Sequence, residues 1–324
     1  MKHKATRLAV LWGITALALY YAFYAVDWHK LVSHIRNANG KFIALALFST
    51  VLSYIFRSRR WQFLFSCVSA ISFPNALRVL FLGFFMNNII PARAGELVRA
   101  HIGSKVTNLS RTLVLATIAS ERLCDGLTIS IMFVLFTLGI KSSNFPIELM
   151  YVASVFGMVT LFVAFTLLFR NKIFFLIEAI NRRFTHKAAD YMLARVKIFI
   201  DGLSPLFKPE RTVIIVLWST LIWLIELSAY VFIGAAFRVS MPLQYFVLFL
   251  VAVNFSSLIP AAPGGIGVIE AISKAVLITV GVDPELALAM VICQHAIQYI
   301  VVGIPGLFLM FSWKEKVKEA QEAV

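Results

Sequence analysis

Charge is scarce in this chain: 14% of its 324 residues are Asp, Glu, Lys or Arg, against roughly 25% in soluble domains. So few charges cannot furnish a surface that faces water on all sides. Cysteine is scarcer still. Cys67, Cys124 and Cys293 stand alone, with no CxxC pair and no ligand-like spacing to histidine. That excludes a disulfide framework and a metal centre and leaves buried packing as the role of each thiol. Also missing are HExxH, GxSxG and the phosphate-binding P-loop, so ATP-driven work or motif-borne hydrolysis within the chain is not indicated, and no cofactor is expected. Acidic residues are outnumbered by basic ones, 16 to 30, giving a net charge of +14. The placement of those charges, described below, argues against nucleic acid as the partner.

What the chain has in abundance is apolar surface. The hydrophobic fraction is 60% and the mean hydropathy is +0.86. The apolar residues come in runs long enough to cross hydrocarbon about 30 Å thick. Spans are predicted at 8–26, 42–56, 112–140, 147–169, 212–237 and 284–312. The basic start followed by an apolar run has the outline of a signal peptide. Its end in Tyr20, Tyr21, Phe23 and Tyr24, without a small-residue cleavage pattern, instead fits the interfacial belt of a retained helix.

Two further apolar stretches, 76–99 and 243–280, are interrupted by proline and glycine and are expected to be re-entrant helical hairpins. With six crossings and the N-terminus in the cytoplasm, most of the 30 Lys and Arg fall on the cytoplasmic side, Arg57, Arg59 and Arg60 among them. Only Lys30, Arg36, Lys41, Lys141 and Arg238 fall outside. This asymmetry follows the positive-inside rule and places both termini in the cytoplasm of a plasma (inner) membrane. Segment 170–211 carries apolar residues at helical spacing with Arg182, Arg183, Lys187, Arg195 and Lys197 between them, the pattern of a basic amphipathic linker on the cytoplasmic interface. The expected fold class is all-α polytopic: one integral membrane domain, about six transmembrane helices and two inverted hairpins. Its first broken-helix repeat covers about 76–169 and its second about 212–312.

The interruptions are alike. Residues 87–99 read NNIIPARAGELVR and residues 254–270 read NFSSLIPAAPGGIGVIE. Each runs from an apolar half-helix through Asn, an Ile-Pro step and glycine to a glutamate that opens a second half-helix. Proline unwinds the chain, and unwound backbone cannot face lipid, so it must line a polar cavity. The half-helix that follows aims N–H groups and a positive dipole end at that cavity, which suits an anion. Gly264, Gly265 and Gly267 permit close approach of a phosphate. Kinked crossing helices with packing glycines are the plainer alternative. Matched breaks in opposed orientation are the pattern of transporter sites near the midplane.

Nine ionisable residues fall in or beside apolar segments: Arg93, Glu96, Arg99, Glu121, Arg122, Asp125, Glu226, Glu270 and Lys274. At roughly 3 kcal/mol each near the bilayer centre, most must pair or face water. Glu121 and Asp125 share a helix face with Arg122 beside them, so a buried ion pair to Arg93 or Arg99 stands level with lipid contact. Glu96 also suits the first turn of a helix. Glu226 and the group Gln294, His295 and Gln298 read as interhelical hydrogen bonding.

NNIIPARAGELVRA, the later ERLCD and IPAAPGGIGVIEA together resemble the lysylphosphatidylglycerol synthase transmembrane-region family, the flippase-like proteins that also form the membrane half of multiple peptide resistance factors. The resemblance extends over nearly the whole chain. Matching positions are Asn88, Pro91, Arg93, Gly95, Glu96, Arg99, Glu121, Arg122 and Asp125, then Pro260, Pro263, Gly264, Gly265, Gly267 and Glu270. It implies translocation of a phospholipid or polyprenyl phosphate, with Asn88, Arg93, Gly95, Glu96, Arg99, Glu121, Arg122, Asp125, Gly264, Gly265, Gly267 and Glu270 as the ligand-binding set. Bifunctional members continue into a soluble aminoacyl-transferase domain; this sequence stops at Val324, so transport without that activity is expected. Homo-oligomers are compatible with the pattern. A membrane enzyme acting on lipid headgroups and an accessory protein are the competing classes.

Overall fold

A computed structural model describes residues 2–66, 68–90, 94–137, 209–257, 259 and 262–312, with isolated positions between 158 and 206. Every regular element among them is helical. In chain order they are α1 (Lys2–Phe23), α2 (Trp28–Arg36), α3 (Gly40–Phe65), α4 (Phe73–Ile89), α5 (Gly95–Thr107) and α6 (Arg111–Thr137), then α7 (Pro209–Ala236), α8 (Leu243–Ser256), a 3-10 turn at Pro263–Gly265, α9 (Val268–Thr279) and α10 (Pro284–Ser312). Helices α3, α7 and α10 are long and apolar enough to cross a bilayer. The protein is an all-α membrane protein. The predicted span 147–169 and linker 170–211 lie outside the described residues apart from isolated positions, as do Pro91, Ala92, Arg93, Pro260 and Ala261.

Two elements depart from expectation. The stretch after the first span contains α2, bent 82° from α1. Asp27 caps it by accepting N–H bonds from His29 at 2.9 Å and Lys30 at 3.1 Å. Trp28, Val32 and Ile35 form an exposed apolar strip along α2, the pattern of an interfacial helix. The second departure is α3, which runs on past residue 56 to Phe65. Arg57 and Arg60 are thus buried inside a helix and are not cytoplasmic loop cations. Arginine is a good helix former, and acids on α6 and α7 supply the countercharges that let α3 continue.

A polar seam joins α3 to α7. Ser228 donates to Ser49 at 3.0 Å, Ser53 to Glu226 at 2.5 Å, and Arg60 to Ser219 at 2.7 Å. Small residues and interhelical hydrogen bonds hold helices together where lipid offers no hydrophobic drive. Helices α4 and α5 run antiparallel as a tight hairpin. Gly83 lies against the Arg99 side chain and Gly95 against the Gly83 carbonyl and Asn87, where no Cβ would fit. Helix α8 forms the centre of the second half, with Val247 to Ala252 all fully buried.

The second hairpin is strapped by α1. The Ala262 N–H donates to Thr15 Oγ1 at 2.8 Å. Gly267, at φ +87°, turns its Cα toward Thr15 and Leu19 of α1. Lys274 Nζ donates at 2.8 Å to the Ala22 carbonyl at the C-terminal end of α1, where a cation also complements the helix dipole. Lys274→Met keeps the stem but strands that carbonyl. It should destabilise the detergent-solubilised protein by about 1.5–3 kcal/mol, measured by unfolding titration; an unchanged midpoint would show that α1 docks without this bond.

Candidate functional site

Both helix breaks open onto one cavity of about 230 Å³. The end of α4 contributes Asn87, Asn88 and Ile90; α8 contributes Asn254 and Ser257; the turn before α9 contributes Ala262, Gly264 and Gly265. Long helices add polar side chains, Tyr54 and Arg57 on α3, Arg122 on α6, Trp223 and Glu226 on α7, and His295, Gln298 and Tyr299 on α10, with Phe84, Val253, Ile259 and Ile269 supplying apolar patches between them. Tyr54, Glu226 and His295 each fall in the middle third of their helix. The cavity therefore lies at the depth of the hydrocarbon core, where a polar wall is costly unless it is used or fully paired.

Behind one wall runs an ion network. Arg99 contacts Glu121 at 2.7 Å; Arg60 contacts Asp125 at 2.8 Å and Glu121 at 3.7 Å; Arg57 contacts Asp125 at 3.3 Å and Glu226 at 3.9 Å. Arg122 reaches Glu96 at 3.1 Å and Glu121 at 3.4 Å. Among the described residues four guanidiniums face four carboxylates. Trp223 donates to Asp125 at 3.1 Å. Arg57 lies over the Trp223 ring and Arg99 over Trp61, adding cation–π contact in a dry setting. Arg57 is buried on this wall, whereas the Arg122 side chain keeps 35% of its surface exposed.

Glu226 also accepts from Ser53 and, at 2.7 Å, from Gln298, which in turn accepts from Tyr54 at 2.9 Å. His295 lies between Glu270, 2.6 Å from Nδ1, and the Gly264 carbonyl, 3.2 Å from Nε2. Gly264 adopts φ +72°, and the Tyr299 hydroxyl stands where its Cβ would be. Glycine is required there by backbone and neighbour alike.

Of the residues singled out from sequence, Asn88, Arg122, Gly264 and Gly265 line the cavity. Arg99, Glu121 and Asp125 sit one layer behind in the ion network, and Glu96 joins it through Arg122. Gly95 packs on α4 and Gly267 on α1, so neither reaches the cavity. Glu270 occupies the third position of α9 and accepts the Gly267 N–H at 2.7 Å, as in a capping box. That N–H, expected to await an anion, is satisfied by the helix's own side chain. Arg93 lies outside the described residues. Arg57, Glu226, His295 and Gln298 line the cavity as well, although the sequence pattern did not put them in the ligand-binding set. Their signal was a polar residue inside a long apolar helix, and Glu226 and Gln298 bond across helices as expected.

A profile of the family described as the lysylphosphatidylglycerol synthase TM region matches residues 5–306. A UPF0104 membrane protein of Methanocaldococcus jannaschii is 23% identical over 98% of this chain and 98% of its own. One from Pyrococcus horikoshii is 24% identical over 94% of this chain and 96% of its own. The glycosyltransferase AglD of Haloferax volcanii is 25% identical over 98% of this chain, which spans 56% of that protein.

Proposed function

We propose that this chain, which belongs to the lysylphosphatidylglycerol synthase TM region family, is a flippase-like transporter that moves a phospholipid or a polyprenyl-phosphate-linked lipid across its membrane. The observation that carries the proposal is the convergence of both helix breaks on one mid-membrane cavity with Arg57 and Arg122 in its wall. A lipid phosphate is an anion that tolerates hydrocarbon on its tail side only. Here it would meet a guanidinium, whose planar fork suits bidentate contact with phosphate oxygens, while its tails stay among the lipid. Glu226 and the Asn and Gln side chains would receive the remainder of a headgroup. The two hairpins, related by inversion, would rock to open the cavity to each leaflet in turn. In this scheme both termini would lie in the cytoplasm at the plasma membrane, a reading supported by the excess of basic residues on that side.

A second reading, an enzyme acting on lipid headgroups, is favoured by the His295–Glu270 contact on the cavity wall and by the likeness to a glycosyltransferase of Haloferax volcanii. Reconstitution separates the two. The purified chain in vesicles of phosphatidylglycerol and phosphatidylcholine, with fluorescent phosphatidylglycerol as probe, should make the inner-leaflet probe accessible to dithionite at least tenfold faster than protein-free vesicles. Recovered probe should be chemically unchanged. Altered headgroup in the recovered lipid would establish the enzyme, and a rate equal to protein-free vesicles would exclude transport of this lipid by the chain alone.

A further inference from the structure

The imidazole of His295 has an acceptor at each nitrogen: Glu270 Oε1 at 2.6 Å from Nδ1 and the Gly264 carbonyl at 3.2 Å from Nε2. A neutral imidazole carries one N–H and satisfies one acceptor. Both contacts become hydrogen bonds only when the pair holds one more proton, as imidazolium beside carboxylate or as imidazole beside a protonated carboxyl. Without it, a nitrogen lone pair faces a carbonyl oxygen in a low-dielectric setting, which is repulsive. Glu270 Oε2 also accepts the Gly267 N–H at 2.7 Å. The pair thus grips the second break at both ends, by the Gly264 carbonyl and the Gly267 amide. Between them Gly264 and Gly265 hold φ of +72° and +75° and line the cavity.

We propose that His295 and Glu270 form a proton-binding site whose occupancy sets the conformation of the glycine turn and so couples lipid passage to protons. The coupling rests on the transport function proposed above; the proton site stands on its own geometry. The step is simple. A hydronium ion in the cavity loses an O–H bond as Nε2 gains an N–H bond that donates to Gly264, leaving water behind, and release is the reverse transfer. Among the described residues, other ionisable groups of this region have partners of their own. Tyr299 points to the Pro263 carbonyl, Glu226 is held by Ser53 and Gln298, and Tyr230 accepts from Gln294. Arg57 pairs with Asp125, Arg122 with Glu96, and Lys274 turns to Ala22.

Hydrogen exchange on the full chain in nanodiscs of phosphatidylglycerol and phosphatidylcholine tests the proton site. After correction for intrinsic exchange, the amides of 264–270 should lose about tenfold in protection between pH of about 6 and about 8. Glu270→Gln supplies an amide oxygen for the Gly267 N–H and an NH₂ for Nδ1, which fixes Nε2–H on Gly264. Its protection should be the same at both pH values, because the bond to Gly264 no longer depends on an added proton. A pH-independent native protein, or a Glu270→Gln that responds like native, would overturn the site. In vesicles, a pH gradient should change the native rate of fluorescent phosphatidylglycerol movement about tenfold and that of Glu270→Gln not at all. Native transport indifferent to the gradient sinks the coupling alone. Absent transport with intact pH-dependent protection sinks the transport function and its coupling and leaves the proton site standing.

Discussion

Arg60→Leu is expected to be the most damaging single change to stability, costing about 3–5 kcal/mol. Arg60 is fully buried on α3, 2.8 Å from Asp125, 3.7 Å from Glu121 and 2.7 Å from Ser219. It joins the Arg99–Glu121 pair to the Arg57–Asp125 pair at closer range to Asp125 than Arg122, which also reaches both carboxylates. Leucine fills the space but leaves Glu121 and Asp125, both buried, without their shared guanidinium, and neither carboxylate can turn out to solvent as Glu96 can. The cost is that of the stranded anion, not the net worth of the bridge, which against an apolar replacement of the whole cluster is small. Arg60→Lys keeps the charge but loses the fork that spans two carboxylates, so it should recover only part of the loss. Denaturant titration of the solubilised protein measures both. If Arg60→Leu unfolds at the native midpoint, the network does not hold α3, α6 and α7 together.

The same cluster shows what was legible in the sequence. Long apolar runs announced α3, α7 and α10 to within a few residues at most ends, because hydrocarbon thickness is a strong constraint and every residue reports on it. The breaks were equally plain, since proline and glycine act locally. Arg57 and Arg60 were misplaced for a physical reason: an arginine in a loop and an arginine in a buried salt bridge look identical until the partner is known. The partners, Glu121, Asp125 and Glu226, lie 61 or more positions away in the chain. The glycines divided in the same manner. Gly264 and Gly265 face the cavity, while Gly95 and Gly267 give way to a neighbouring helix, and one-dimensional pattern cannot tell a ligand's approach from a helix's.

Arg122→Ala should have the largest effect on transport, slowing lipid movement about a hundredfold. That corresponds to losing roughly 2–3 kcal/mol of charge-assisted hydrogen bonding. Stability should fall by only about 1 kcal/mol, because its main partner Glu96 is 37% exposed and can turn to water, and Glu121 keeps Arg99 and Arg60. Arg122→Lys should fall between, with the charge retained and bidentate geometry lost. Yet an arginine beside a glutamate invites the plainer account, in which the pair merely pins the first turn of α5 to α6. Glu96→Gln separates the two. If Arg122 serves only to hold Glu96, breaking the pair from either side should do the same damage, and Glu96→Gln should be as slow as Arg122→Ala. If Arg122 holds lipid phosphate, Glu96 competes with that phosphate for the same guanidinium. Removing its charge should then leave transport intact and tighten binding of fluorescent phosphatidylglycerol severalfold, while Arg122→Ala weakens it. Equal losses in the two variants would assign Arg122 to the scaffold and leave Arg57 as the guanidinium facing the lipid.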